Sequence, residues 1–171
     1  MRYLLLPAAL ALPLSLVEAK VVSAAPSGFE VASEAVVQAS PERVWGALAA
    51  PATWWNPAHS WSGDAANFSL DLKSGGCFCE RWAGGAAEHM RVTYVQHAKT
   101  LRMAGALGPL QAHGVAGAMT ITLEPAATGT RLTLRYVVGG SFPGGLDRVA
   151  PAVDGVLAEQ VGRLKATAEK R

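Results

Sequence analysis

An amphipathic helix is indicated near the C-terminus by the stretch LDRVAPAVDGVLAEQVGRL, residues 146–164. Its apolar residues recur at the i, i+3, i+4 and i+7 spacing of one helix face, and charged residues fall on the opposite face. Pro151 lacks a backbone N–H, so we expect the continuous helix to begin near it, after a short turn at 146–150. Gly155 and Gly162 either admit a neighbouring strand or ligand or are simply weak positions in an ordinary helix. A helix with one apolar face needs an apolar surface to cover it.

Strands elsewhere in the chain supply that surface. Apolar and polar residues alternate most clearly at 119–124 and 131–138. Five more strands are predicted, at 29–37, 68–72, 77–82, 89–96 and 101–104. A hydroxyl, a proline and a carboxylate at Ser40-Pro41-Glu42 mark a helix start, and a second short helical turn is expected at 51–55. The predicted fold is α+β: a curved antiparallel sheet wrapped around the C-terminal helix, with two short helices after the first strand.

The composition favours one globular domain. The chain has 171 residues, of which half are apolar and 16% are charged, against about 25% in an average domain. A chain of this length buries enough surface to fold without a metal or a disulfide. The net charge of +2 and the lack of any basic run exclude nucleic acid as an expected partner.

Residues 1–24 are predicted to be a signal peptide, which leaves a domain of residues 25–171. Arg2 provides the basic start, the apolar run 3–17 is too short to span a bilayer comfortably, and small residues precede Ala24. Cleavage after Ala19 or an uncleaved anchor are the alternatives. We therefore expect an exported protein, periplasmic or secreted, with no transmembrane span after cleavage.

Short motifs in sequence order resemble the START-like, Bet v 1-type (SRPBCC) superfamily, in its polyketide-cyclase or Hsp90-ATPase-activator-homologue branch. The resemblance covers residues 29–169 and is carried by SPERVW at 40–45, WW at 54–55, SGGCF at 74–78, GTRLTL at 129–134 and VDGVL at 153–157. It implies a helix-grip fold that encloses a hydrophobic cavity between sheet and helix. Members bind lipids, hormones or polyketides, and a minority are enzymes. The superfamily shares no catalytic residues, so none is transferred here. Cys77 departs from the pattern, since members usually carry a larger, often charged residue there.

Aromatic residues indicate where such a cavity would open. All five tryptophans lie between Trp45 and Trp82, and Trp54, Trp55 and Trp61 surround the loop that would cover one end. Aromatic side chains at a cavity mouth suit a flat or greasy ligand, although core packing is the alternative and is favoured for Trp45. The predicted ligand-binding residues are Trp54, Trp55, Trp61, Phe78, Glu80, Trp82, Met90, Tyr94, Met103, Met119, Tyr136, Val153 and Leu157.

Glu80 is the one weak candidate for chemistry. In an extended strand it shares a face with Phe78 and Trp82, so we expect it to point into the cavity. Desolvation there would raise its pKa, and the carboxyl could orient a ligand hydroxyl or act as a general acid or base. The alternative is that it reaches solvent or pairs with an arginine. Its expected partners are Tyr94, Arg91 and Arg102.

The cysteines and histidines show no pattern of a metal site. Cys77 and Cys79 lie two apart in a strand, where two packed thiols are favoured over a strained bridge. The four histidines lack ligand spacing, and no phosphate-binding or nucleophile motif occurs. No cofactor and no metal are therefore expected.

Three functions are compatible with these features. The leading hypothesis is an exported protein that binds a small hydrophobic or lipid-like ligand in its cavity. The second is a cavity enzyme of cyclase, hydratase or hydrolase type that uses Glu80. The third is a protein-interaction or chaperone-activator-like adaptor with an apolar patch at the tryptophan loop.

Overall fold

The computed structural model describes residues 16–170. Within them the strands are β1 (Glu18–Ala25), β2 (Gly28–Val37), β3 (Phe68–Leu70), β4 (Cys77–Trp82), β5 (Gly85–Gln96), β6 (Thr100–Ala104), β7 (Gly114–Pro125) and β8 (Thr130–Ser141). The α-helices are α1 (Pro41–Leu48) and α2 (Ala150–Glu169). Short 3-10 segments lie at Pro51–Thr53, Pro57–His59, Ala65–Asn67, Gly108–Ala112 and Leu146–Arg148.

All eight strands form one curved antiparallel sheet in the order β1-β2-β8-β7-β6-β5-β4-β3. Consecutive strands pair with each other, except that β2 pairs with β8 in place of β3 and so joins the start of the domain to its end; the longest connection between paired neighbours in sequence, from β6 to β7, contains the 3-10 segment Gly108–Ala112. Helix α2 lies across the concave face, and the α+β helix-grip architecture predicted from the sequence is confirmed.

Helix α2 begins at Ala150, next to Pro151, as the position of that proline led us to expect. A 3-10 turn at Leu146–Arg148 precedes it, and the proline occupies its first turn, where a missing N–H costs no hydrogen bond. Its buried face consists of Ala150, Leu157, Gln160, Val161, Leu164 and Ala168. Gly155 faces open space, and a methyl group on Gly162 would make only ordinary contact with Val17. Neither glycine is therefore needed for a close approach by a strand.

Helix α1 packs against α2 and β7. The Ser40 hydroxyl accepts a hydrogen bond from the backbone N–H of Arg43, as the sequence predicted for a helix start. The second predicted helix is a single 3-10 turn, Pro51–Thr53. Arg163 of α2 donates to the Trp54 carbonyl oxygen at 2.7 Å and fastens this turn to the central helix.

The edge strand β1 was not predicted. Its eight residues are all exposed, so no buried alternating face marks them as a strand, and their small residues resemble a cleavage region. Residues 1–15, the larger part of the predicted signal peptide, lie outside the described residues. Among the helices of residues 16–170, none has both the length and the apolar character that a membrane span requires.

Candidate functional site

A cavity of about 440 Å³ opens at one end of the grip. Its walls come from the first half of α2, the loop after α1, the segment before β7 and one residue of β5. Its lining residues are Trp55, Ala58, His59, Ser60, Trp61, His89, Leu107, Gly108, Pro109, Leu110, Phe142, Val149, Ala152, Val153, Val156 and Leu157. This volume lies within the range of small-molecule sites, roughly 300–1,000 Å³.

Deeper between sheet and helix the interior is nearly filled. The void there measures only about 20 Å³. Its walls include Trp54, Phe78, Met103, Met119 and Leu132. Of these two spaces in residues 16–170, the open end alone has room for a ligand of more than a few atoms.

A β-bulge brings His89 to the cavity wall. Phe78 of β4 pairs with Met90 of β5, but the next residue, Cys79, pairs with Glu88, so His89 is the extra residue on β5. The bulge interrupts the alternation of β5, and His89 and Met90 are both buried. Without it, one of these neighbours would face outward.

Glu80 lies directly behind His89 and is fully buried. Its Oε2 accepts from the Trp61 backbone N–H at 3.0 Å and faces His89 Nε2 at 3.1 Å, while its Oε1 accepts from the Ser62 N–H at 2.6 Å. Desolvation favours the neutral acid, but these hydrogen bonds outweigh it and lower the pKa of Glu80. The predicted raised pKa is wrong, because the tryptophan loop supplies two backbone N–H donors that no local sequence pattern indicates.

His89 is neutral at physiological pH. Burial lowers the pKa of its imidazole, and the neighbouring Glu80 carboxylate only partly opposes that effect. The His89 ring packs against both Phe68 and Phe78, with centroids 5.0 and 5.4 Å away, and the two phenylalanine rings also contact each other at 5.6 Å. Because an ionised carboxylate only accepts hydrogen bonds, Nε2 carries the proton and Nδ1 is left as an acceptor.

The loop on one side of the cavity is fastened at two points. At its start, the Asn56 backbone N–H donates to Oε1 of Gln160 at 2.8 Å, and His59 lies 3.1 Å from Glu159. At its end, the Trp61 and Ser62 N–H groups bind Glu80. Contacts to α2 and to Glu80 of β4 therefore hold the loop residues between Asn56 and Ser62 in place as a wall of the cavity.

The opposite wall is held by Tyr136 of β8. Its hydroxyl accepts from the Leu107 N–H at 3.1 Å and donates to the Gly105 carbonyl oxygen at 3.0 Å. Burial raises its pKa to about 12, so the hydroxyl keeps its proton. A side chain at Gly117 would collide with the Tyr136 ring and the Gly105 carbonyl, which explains the glycine there.

The structure divides the predicted ligand-binding residues into groups. Trp55, Trp61, Val153 and Leu157 line the open cavity. Trp54, Phe78, Met103 and Met119 line the small deep void, which Trp55 and Leu157 also reach. Glu80 and Tyr136 support the two walls from behind, and Met90 is buried in the core.

The remaining two predicted residues, Trp82 and Tyr94, line neither space. The Trp82 ring folds over Gly85 at the β4–β5 turn. Tyr94 is 45% exposed beneath Arg102, and therefore does not donate to Glu80 as predicted. Nor do the expected arginines neutralise Glu80: Arg91 binds Glu88 and the Gly75 carbonyl, and Arg102 binds Thr120.

The lining residues that were not predicted from the sequence include His89, Phe142 and the segment 107–110. His89 gave no local signal, because polar and apolar residues alternate regularly through 89–94 and only the bulge in the structure buries both His89 and Met90. Phe142 and Leu110 are isolated apolar residues in glycine-rich connections, and no local period marks such residues.

The two cysteines form a disulfide, against the expectation of free thiols. Their Cα atoms are 5.3 Å apart, shorter than the roughly 6.6 Å of two residues in an extended strand. This shortened part of β4 lies opposite the extra residue of β5. Glu88 lies close enough to both sulfurs to complete a donor cluster, but bonded sulfurs are not thiolate ligands for a metal.

Comparisons with known proteins agree with this architecture. A family model described as polyketide cyclase / dehydrase and lipid transport matches residues 28–169. A protein from Rhizobium leguminosarum has 18% identity and a TM-score of 0.64, over 91% of this chain and 99% of its own. The Mll3558 protein from Rhizobium loti has 24% identity and a TM-score of 0.58, over 88% and 98%. These likenesses concern the fold. None of the curated proteins matches the chain significantly.

Proposed function

Because the chain belongs to the polyketide cyclase / dehydrase and lipid transport family, we propose that it binds a small, mostly apolar molecule in the open cavity. One observation carries the proposal: a space of about 440 Å³ is walled mainly by aliphatic and aromatic side chains. Burial of apolar ligand surface there contributes about 25 cal/mol per Å². The few polar groups on the wall, among them His59, Ser60 and His89, would orient the ligand.

The position of Trp61 at the mouth of the cavity also supports ligand binding there. It lines the cavity and is 51% exposed, although its backbone is held by Glu80. A large ring on a fixed backbone can contact an entering ligand without a rearrangement of the wall. Leu107 and Pro109 on the opposite wall complete an apolar entrance.

Native mass spectrometry of protein purified from its own host tests the proposal. A bound lipid or aromatic molecule should co-purify. The matched variants are Ala152→Trp, which adds a ring at the cavity wall, and Ala166→Trp, which adds the same ring at an exposed position further along α2. The first should lose the bound molecule and the second should keep it. A protein that is empty and binds nothing from a broad lipid and aromatic panel would reject the proposal.

Export of the protein is part of the same proposal. The N-terminal pattern motivates it, and the Cys77–Cys79 disulfide supports it, because disulfides persist mainly in oxidising compartments. Cleavage after Ala19 would leave most of β1 in the sheet, whereas cleavage after Ala24 would remove it. N-terminal sequencing of host-derived protein distinguishes the two, and intact Met1 in the cytosolic fraction would reject export.

Catalysis is the second candidate function. The specific observation that favours it is a neutral histidine on the cavity wall with an ionised carboxylate behind it, an arrangement suited to a general base. Glu80 itself is fully buried behind the wall, so its role would be to position His89. Incubating the host-derived ligand with wild type and with His89→Phe tests this: only wild type should change the ligand's mass or chromatographic behaviour.

A further inference from the structure

The free nitrogen of His89 offers a recognition site within the cavity. Within residues 16–170 its Nε2 faces Glu80, no hydrogen bond from the protein reaches Nδ1, and the ring forms part of the wall. Because Nε2 is engaged by Glu80, Nδ1 is the ring nitrogen left to meet a ligand at this wall.

We propose that His89 Nδ1 accepts a hydrogen bond from a hydroxyl group of the ligand, so that the cavity selects neutral, mostly apolar molecules that carry a hydroxyl over plain hydrocarbons and over carboxylates. This inference rests on the proposed function, because it assumes that a ligand occupies the cavity. It adds the ligand's chemical class and assigns a specificity residue.

The charges around the cavity disfavour a ligand carboxylate, and the free acceptor disfavours a plain hydrocarbon. Among residues 16–170 no lysine or arginine lines the cavity, and the carboxylates of Glu80 and Glu159 lie 3.1 Å behind the wall residues His89 and His59. A ligand carboxylate would meet this negative charge without a cation to offset it. A plain hydrocarbon would leave Nδ1 without a partner, which costs part of the binding free energy. A weakly acidic hydroxyl satisfies the acceptor and brings no net charge.

The fixed geometry makes the acceptor selective. The Phe68 and Phe78 rings restrict the His89 ring, and Glu80 fixes its tautomer while being held itself by two backbone N–H groups. The imidazole cannot turn to offer an N–H instead of a lone pair without breaking the bond to Glu80. The Glu80 carboxylate also raises the basicity of the imidazole, which strengthens a bond from an acidic hydroxyl.

Three probes of one shape test the inference: naphthalene, 1-naphthol and 1-naphthoate, titrated by calorimetry or by competition with a fluorescent dye. Wild type should bind 1-naphthol about five- to tenfold more tightly than naphthalene, and 1-naphthoate least. His89→Phe keeps an aromatic ring packed against Phe68 and Phe78 and should bind both neutral probes equally. The matched control His97→Phe changes an exposed histidine outside the cavity and should retain the preference for 1-naphthol.

The outcomes separate this inference from the proposed function. If wild type binds none of these probes and no ligand co-purifies, the proposed function itself fails. If wild type binds naphthalene and 1-naphthol equally, or if His89→Phe retains the preference, the cavity binds ligands but the role of His89 is overturned. Should His89→Phe fail to fold, nitrogen-15 NMR of wild type decides: the Nδ1 resonance should move with 1-naphthol and not with naphthalene, and equal responses overturn the inference.

Discussion

The two ends of the helix–sheet interface are built differently. At the closed end, around Leu132, Met119 and Leu164, strands alternate regularly and side chains fill the space down to about 20 Å³. At the open end a bulge, glycines and two loops replace regular pairing, and about 440 Å³ stays unfilled. Regular pairing therefore accompanies tight packing at the closed end, and the bulge at His89 lies at the cavity, whereas the bulges at Val21/Ser23 and Val92/Tyr94 border no part of it.

The largest expected effect contrasts one residue from each end. Leu132→Ala at the closed end removes a fully buried side chain and should lower the free energy of unfolding by about 2–5 kcal/mol. Val153→Ala at the open end borders existing space and should cost less than about 1 kcal/mol. Urea denaturation of both variants measures the difference. Equal losses would show that the two ends do not differ in packing.

Glu80→Ala should lower the free energy of unfolding nearly as much as Leu132→Ala does, but by a different mechanism. The Trp61 and Ser62 N–H groups lose their buried acceptor, and each unsatisfied group costs about 1–3 kcal/mol. The loss should loosen the loop, so amide hydrogen exchange should accelerate at residues 59–63 while the closed end keeps its protection. Asp64→Ala is the control. It removes a carboxylate of the same loop that accepts only from the nearby Ala66 N–H, so exchange at residues 59–63 should accelerate much less. Unchanged exchange in the Glu80 variant would contradict the role of that carboxylate.

Acidification should weaken the open end first. His89 has a folded-state pKa below its ordinary value of 6.5, and Glu80 has one below 4.5. In both cases the unfolded state binds the proton more readily, so the free energy of unfolding falls as pH drops. The fall should begin below about pH 6.5 through His89 and continue below about 4.5 through Glu80. Urea midpoints between pH 8 and 4 measure it.

The His89→Phe variant separates these two steps. It should remove the first decrease and leave the one below pH 4.5. His97→Phe changes an exposed histidine and should leave the whole profile intact. A stability that rises between pH 7 and 5 in wild type would contradict the neutral state assigned to His89.

Reduction of the disulfide should have the smallest effect. Cys77 and Cys79 close a very short loop, so the entropic stabilisation is small, about 1–2 kcal/mol or less. The double variant Cys77→Ser/Cys79→Ser should fold, because the sheet pairs β4 on both sides. Thermal unfolding with and without a reductant should give similar midpoints. A loss comparable with that of Leu132→Ala would assign the disulfide a much larger role.

Sequence patterns predicted the closed end far better than the open end. The spacing in α2, the position of Pro151 and the alternation in β7 and β8 follow from local periods, which residues 146–164 and 119–138 display directly. The open end depends on contacts between distant segments. Glu80 meets backbone N–H groups 18 and 19 residues away, and a bulge reorients His89. Neither relation has a local period, so Glu80 was correctly predicted to be buried, but it lies behind the cavity wall instead of on it, and its pKa is lowered where a raised value was expected.

Amide NMR of wild type titrated with naphthalene tests the central claim most directly, because it asks where an apolar molecule binds. The account predicts shifts concentrated at residues 58–61, 107–110 and 149–157, with those around Met119 and Leu132 nearly unchanged. Shifts centred on the closed end, or scattered over the outer face around Tyr94, would contradict the assignment of the open cavity as the binding site.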